Sequence, residues 1–332
     1  MKFGTLADVE TRGKTVLVRV DLNSPIDPST NTILDDKRFR EHVPTIQALE
    51  ESRVVVLAHQ SRPGKKDFTT LEAHADRLER LLGMPVMYVD DIFGRCAKEA
   101  VRKAHPGDVL LLENVRFSSE ENLTMKPEDA KNTHLVRKLA SMADLCVNDA
   151  FGTAHRSQPT ITGLPFAMRT VAGLLMEKEV KNLSRVFTSA PKPVTFVLGG
   201  TKVDDSIAVA GHVLANGTAD RIAIIGVVAN VFYLAKGIDI GAPSANLIKT
   251  LGYEGEIAKA KAILDAYPDK VILPEYVAVK ENEERREYAV GATPADCPIL
   301  DMGTESIGVF SKLLSESGTV VFNGPAGMFG ER

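Results

Sequence analysis

The run Val16-Leu17-Val18-Arg19-Val20-Asp21-Leu22-Asn23-Ser24-Pro25 sets the architecture. Its first half is apolar and β-branched, as a strand covered on both faces must be. Its second half turns charged and amide-bearing, where such a strand leaves its sheet. Comparable runs lie at 54–58, 86–89, 109–112 and 145–147, and again at 194–198, 221–225, 271–273 and 319–322. Helical patterns separate them at 72–82, 127–142, 206–216 and 256–267, the second carrying Leu135, Leu139 and Met142 on one face. Parallel strands need crossover helices, so the alternation predicts an α/β chain with two open parallel-sheet domains and flanking helices.

Pro159, Gly163 and Pro165 interrupt this pattern. A first domain over 1–170 and a second over 190–332 are expected, joined by a hinge helix over 171–189. Met176, Val180, Leu183 and Phe187 would form that helix's apolar face, and Pro191 and Pro193 would end it.

The composition narrows the partners. With 332 residues, 44% hydrophobic and 25% charged, the chain can bury a core, which excludes a disordered or fibrous protein. Forty Lys and Arg against 44 Asp and Glu leave a formal charge of −4, so no global positive field calls for nucleic acid. No apolar run reaches membrane-spanning length, and residues 1–10 do not read as a leader. Cys96, Cys146 and Cys297 supply neither a disulfide framework nor a cysteine-rich metal cluster. A cytoplasmic protein without nucleic-acid or membrane partners is expected.

Basic and imidazole groups gather in the loops after the first-half strands. Arg38, His59, Arg62, Arg116, His155 and Arg156 join Asp21 and Asn23 where open α/β sheets bind ligands. Arginine presents a fork of donors to phosphate or carboxylate oxygens. Taken singly, each arginine reads more readily as a solvated ion pair or a loop cap, and His59 and His155 as loop hydrogen bonds; the grouping raises an anion site above that baseline. In the second half, LGGTKVDDS (198–206) sets Gly199 and Gly200 before Lys202. Glycine lets backbone amides approach an anion and lysine adds a mobile charge, although a tight structural turn explains the glycines as well. A dehydrogenase would need a GxGxxG turn, which is absent. A phosphorylated-ligand binder without catalysis, and a purely structural α/β protein, remain as alternatives.

The strings RVDLNSP (19–25), LLENVRF (111–117) and NDAFGTAHR (148–156), in this order and separation, closely resemble phosphoglycerate kinases. AHQSRP (58–63) is similar to that family's SHLGRP, GGTKV (199–203) to GGAKV, and FNGPAGMFGE (322–331) to NGPMGVFE. IIGVVANVF, LPEYVAV and DMGTES resemble further landmarks around the family's nucleotide pocket, with Val227 and Val228 where glycines are usual, so that a buried strand-to-helix connection is expected there.

The resemblance implies reversible phosphoryl transfer between 1,3-bisphosphoglycerate and ADP, giving 3-phosphoglycerate and ATP, with Mg2+ accompanying the nucleotide and a monomer as the default. It assigns Asp21, Asn23, Arg38, His59, Arg62, Arg116, His155 and Arg156 to the 3-phosphoglycerate side, and Gly199, Gly200, Lys202 and Asn323 to the nucleotide side. Arg38 and Lys202 are the implied catalytic pair. Arg19 lies in the same region, with a scaffold role open to it. Gln158 stands where the family pattern has a histidine, Ser206 where it has a second lysine, and Glu331 only loosely matches a ribose-contacting glutamate. The chain stops at Arg332, before the family's glycine-rich GGGD segment; the C-terminal part of the family fold is therefore expected to be absent, and nucleotide turnover by the 332-residue chain impaired.

Overall fold

The computed structural model describes residues 3–328, and the chain divides between Leu183 and Ser184 into two compact units. In the first unit, six parallel strands lie in the order Val86–Val89, Val109–Leu112, Arg53–Leu57, Thr15–Arg19, Leu145–Asn148 and Thr170–Ala172. The central strand Thr15–Arg19 is buried throughout. Val16 and Val18 pack with Phe39, Ile46 and Leu78 on one face, whereas Leu17 packs with Ala97, Val101, Leu135 and Leu139 on the other. Alternate residues serving two cores is the reason the strand reads as continuously apolar.

Several sequence expectations change here. The helix over 127–142 is two pieces, Pro127–Ala130 and His134–Ala140, because Thr133 caps the second through its hydroxyl and the Val136 amide, 3.3 Å apart. Leu135 and Leu139 are still buried. The interruption at Pro159, Gly163 and Pro165 is itself helical: Pro159–Gly163 and Leu164–Ala167 form helical turns within the first unit, followed by the unforeseen edge strand Thr170–Ala172. Three residues are too few to show a period.

The helix Leu174–Thr188 forms where a connector was expected, and the division between the units falls inside it. Its stripe is not a core stripe: no residue of it is buried, and Leu183 and Phe187 are 47% and 55% exposed.

The second unit has a four-stranded parallel sheet in the order Val271–Ile272, Arg221–Ile224, Val194–Leu198 and Thr319–Asn323. It also has an antiparallel sheet of Glu284–Ala289, Tyr276–Glu281 and Ile299–Met302, which the sequence reading missed. The strand Glu284–Ala289 is charged and almost wholly exposed, so it carries no burial signal, and its hairpin turns at Asn282 and Glu283 with φ of 50° and 64° rather than on a glycine.

Candidate active site

The carboxyl ends of the first unit's strands deliver the expected residues to one place. Asn23, Arg62, Arg116, His155 and Arg156 line an open pocket of about 750 Å³, together with Ser61, Lys65, Asn122, Thr124 and Gln158, which the sequence reading did not assign. Lys65 could have been found from the density of cations in RPGKKD; the neutral residues carry no such signal. Asp21, Arg38 and His59 stand beside this group. Arg38, in the first turn of helix Lys37–Gln47, pairs with the buried Asp21 carboxylate while its side chain stays 48% exposed. His59 is buried, its Nδ1 3.2 Å from the Arg19 guanidinium and its Nε2 without a partner.

A scaffold of neutral amides holds the pocket loops. The Asn114 side chain donates to the carbonyls of Gln60 (3.0 Å) and Thr69 (2.9 Å) and accepts the Arg116 amide (3.1 Å). The Asn23 side chain accepts the Ser61 N–H at 2.7 Å, and Arg116 donates to the Ser61 carbonyl. Ser61 sits at φ 54°, a left-handed conformation held by these contacts and by the Ser61 hydroxyl on Asp67 (2.6 Å). Gln158 bridges the network: it accepts from Arg116 at 3.3 Å and donates to the Glu121 carbonyl at 3.0 Å, so this departure from the family pattern orients a cation instead of adding one. Arg19 is a scaffold residue, fully buried and donating to Thr160, whose hydroxyl donates in turn to Glu121.

Charges of one sign accumulate here. Burial, then Arg19, Arg116, Arg156 and Arg38, all hold the His59 imidazole far below its ordinary pKa. The Arg116 guanidinium is pushed down to about 10, by burial first and then by Arg156. Arg62 and Arg156 make no ion pair among the described residues. Forks of donors facing an open pocket, mutually repelling and outnumbering its lining carboxylate Asp67, form an anion site.

The second unit is built differently. Lys202 is exposed at the start of helix Val203–Ala215 and has no ion pair among the described residues. The amides of Gly199 and Gly200, expected to face an anion, donate instead to the carbonyls of Asn323 (2.8 Å) and Pro325 (3.0 Å). What the glycines supply is room. Gly324, at φ 79°, approaches so closely that a Cβ there would lie 2.3 Å from the Gly199 carbonyl oxygen. The two turns interlock, and Asn323 stands exposed beside them. Ser206 is buried with its hydroxyl unpartnered, so that position carries no cation. Glu331 lies outside the described residues.

Next to these turns is a cavity of about 330 Å³ lined chiefly by apolar groups, among them Val227, Leu247, Pro274, Val277, Ile299 and Met302. Val227 therefore lines a pocket, while Val228 is the buried neighbour expected of a strand-to-helix connection. The Tyr233 hydroxyl donates to the Pro274 carbonyl at 2.8 Å, and the buried Asn230 amide oxygen on the pocket wall has no partner among the described residues. No periodicity separates Asn230 from an ordinary helix residue, and the sequence reading passed over it.

A chain with a cation-rich pocket in one α/β unit, and an apolar slot beside an exposed lysine in the other, has the parts of a phosphotransferase. A family model described as phosphoglycerate kinase matches residues 6–332. The phosphoglycerate kinase of Methanocorpusculum labreanum is 82% identical over 331 residues, covering 100% of this chain and 82% of that protein, and the one from Methanothermus fervidus is 47% identical over 333 residues, covering 100% and 81%. The crystal structure of phosphoglycerate kinase from Pyrococcus horikoshii OT3 superposes with a TM-score of 0.90 at 39% identity, covering 99% of this chain and 82% of that one. The chain belongs to the phosphoglycerate kinase family. Its activity is reversible transfer of a phosphoryl group between 1,3-bisphosphoglycerate and ADP, giving 3-phosphoglycerate and ATP.

Proposed function

We propose that the acid substrate occupies the cationic pocket of the first unit and the nucleotide the apolar slot of the second, with residues 1–170 and 190–332 acting as the two binding domains and 171–189 as their connector. The observation that carries this reading is the convergence of Arg62, Arg116 and Arg156 on one open pocket, with Arg62 and Arg156 in no ion pair among the described residues. Arg62, Arg116 and Arg156 anchor the distal phosphate of 3-phosphoglycerate; His59, His155 and Asn23 orient its carboxylate end. Asp21 steadies Arg38. On the other side Lys202 and Asn323 attend the nucleotide phosphates, with Gly199 and Gly200 shaping the turn beneath them.

The acceptor carboxylate of 3-phosphoglycerate is ionised at neutral pH and attacks the terminal phosphorus of ATP without a protein base. The work left to the chain is alignment and charge stabilisation, with Arg38 and Lys202 bracketing the transferring group. Mg2+ suits this chemistry by neutralising phosphate oxygens. Among the described residues no group of three or more His, Cys, Asp or Glu could cage a metal, which fits a cation that arrives on the nucleotide phosphates. Turnover requires the two ligand sets to meet and water to be excluded. No helix among the described residues is long and apolar enough to cross a membrane; the family resemblance is the basis on which a cytoplasmic monomer is proposed.

An ATP-coupled assay of wild type and Lys202→Ala tests the assignment. The variant is expected to lose about 100-fold in kcat while binding 3-phosphoglycerate normally. Unchanged kcat would remove Lys202 from the reaction.

A further inference from the structure

Helix Lys37–Gln47 does more than present Arg38. Arg38, His42 and Thr45 follow one another at helical spacing, and each side chain makes a hydrogen bond outside the helix. Arg38 takes the carboxylate of Asp21. His42 Nε2 accepts the backbone N–H of that same Asp21 at 3.0 Å. The helix thus grips one residue at two points, by its side chain and by its main chain.

The other ring nitrogen is committed as well. An accepting Nε2 leaves the ring hydrogen on Nδ1, which donates to Asp149 Oδ2 at 2.8 Å. Asp149 Oδ1 accepts the N–H groups of Leu175 (2.9 Å) and Met176 (3.2 Å), two of the unsatisfied donors in the first turn of helix Leu174–Thr188. Thr45 accepts the Leu174 N–H at 2.9 Å. His42 and Asp149 are buried, 2% and 0% exposed, so no water substitutes for these bonds. Gly173 completes the join: a Cβ there would stand 2.3 Å from Asp149 Oδ1.

We infer that His42 is a positioning residue for the transfer step, linking the first turn of helix Leu174–Thr188, through Asp149, to the Asp21–Arg38 pair. It touches neither substrate. It fixes the main chain from which the Asp21 carboxylate reaches Arg38, so a lost bond at Nε2 lets the guanidinium drift, and displacement of a catalytic charge by a fraction of an ångström lowers kcat. The inference rests on the assignment of Arg38 proposed above.

Two polar substitutions separate the arms of the ring. His42→Gln extends an amide oxygen to the place of Nε2 and keeps the Asp21 contact; His42→Asn is short, keeps the donor to Asp149 and loses Asp21. Each is made in the full chain, in wild-type and Arg38→Ala backgrounds, with thermal unfolding followed alongside. We expect His42→Asn to lower kcat about tenfold and His42→Gln no more than about threefold, with the KM for ATP within about twofold, and neither to slow the Arg38→Ala enzyme further. A ring that merely filled space would make the two variants alike and would slow both backgrounds by the same factor; that result overturns the inference while leaving Arg38 in place. If Arg38→Ala alone turns over like wild type, the assignment of Arg38 fails and the positioning role falls with it. Should the Asn variant not fold, His42→Ser, which loses the Asp21 contact, is compared in the two backgrounds: a slowing confined to the wild-type background supports the positioning role, and an equal slowing in both, or none in either, overturns it.

Discussion

The two pockets solve opposite problems. The first, about 750 Å³, is walled by charge: guanidiniums, a lysine, an imidazole and the Asp67 carboxylate, on loops held by buried neutral amides such as Asn114 and Gln60. The second, about 330 Å³, is walled by valine, leucine, proline, methionine and interlocked glycine turns, with Asn230 as an unpartnered polar point. A small multiply charged acid has little apolar surface to bury, so recognition must come from many charge-assisted bonds, each needing its own support. A nucleoside offers a flat apolar body, and shape alone recovers much of its binding free energy. One unit therefore depends on polar scaffolding; the other depends on close packing.

That contrast can be tested where it is strongest. Arg38→Ala should lower kcat about a thousandfold with the nucleotide KM little changed; equal losses in both would mean that Arg38 binds rather than stabilises the transferring group. Arg156→Ala should raise the KM for 3-phosphoglycerate about 10- to 100-fold at nearly constant kcat, the value of a charge-assisted bond to phosphate, and titration calorimetry should find nucleotide binding untouched. The third effect is on stability. The His74 imidazole, donating to Gln60 at 3.1 Å in the pocket scaffold, is pushed by burial down to about 4. The unfolded chain takes up this proton as pH falls below the ordinary histidine value, whereas the folded chain does not, so stability is lost on acidification through that window. The loss is about 2 kcal/mol by pH 5, and His59 adds to it in the same direction. Glu121, pushed up by burial, acts in the opposite sense, so the comparison is His74→Gln against wild type in urea at pH 7 and pH 5. Equal pH sensitivity of the two proteins would contradict the buried neutral ring. The smallest effect belongs to the apolar side: Asn230→Leu should raise the nucleotide KM about fivefold and leave 3-phosphoglycerate unaffected. A loss of 100-fold there would place polar recognition in both units.

Legibility followed the same division. Arg62, Arg116 and Arg156 could be picked out before folding only as a group, since each alone reads as a surface ion pair or cap, and their convergence needed only a parallel sheet whose carboxyl ends point one way. Lys202 stood out similarly in GGTKV. For Gly199 and Gly200 the sequence left the reason open: a glycine that frees an amide and one that admits a neighbouring turn look the same in a string, and only the carbonyls of Asn323 and Pro325 distinguish them. The apolar pocket had no distinct signature, because its valines and leucines are the residues that also make a core. The hairpin with Glu284–Ala289 was lost for the converse reason, since an exposed charged strand shows no hydrophobic period.

Alternating strand and helix patterns, the loops that bear cations, and the family itself follow from order along the chain, because burial period and local charge are properties of neighbouring residues. His42 and Asp149 are 107 positions apart, and their 2.8 Å bond exists because two parallel crossovers return to the same end of the sheet. Such pairings depend on which strands become neighbours, and that is settled by long-range packing, where the free energy of burying a ring or a carboxylate is a property of the assembled unit and of no single segment.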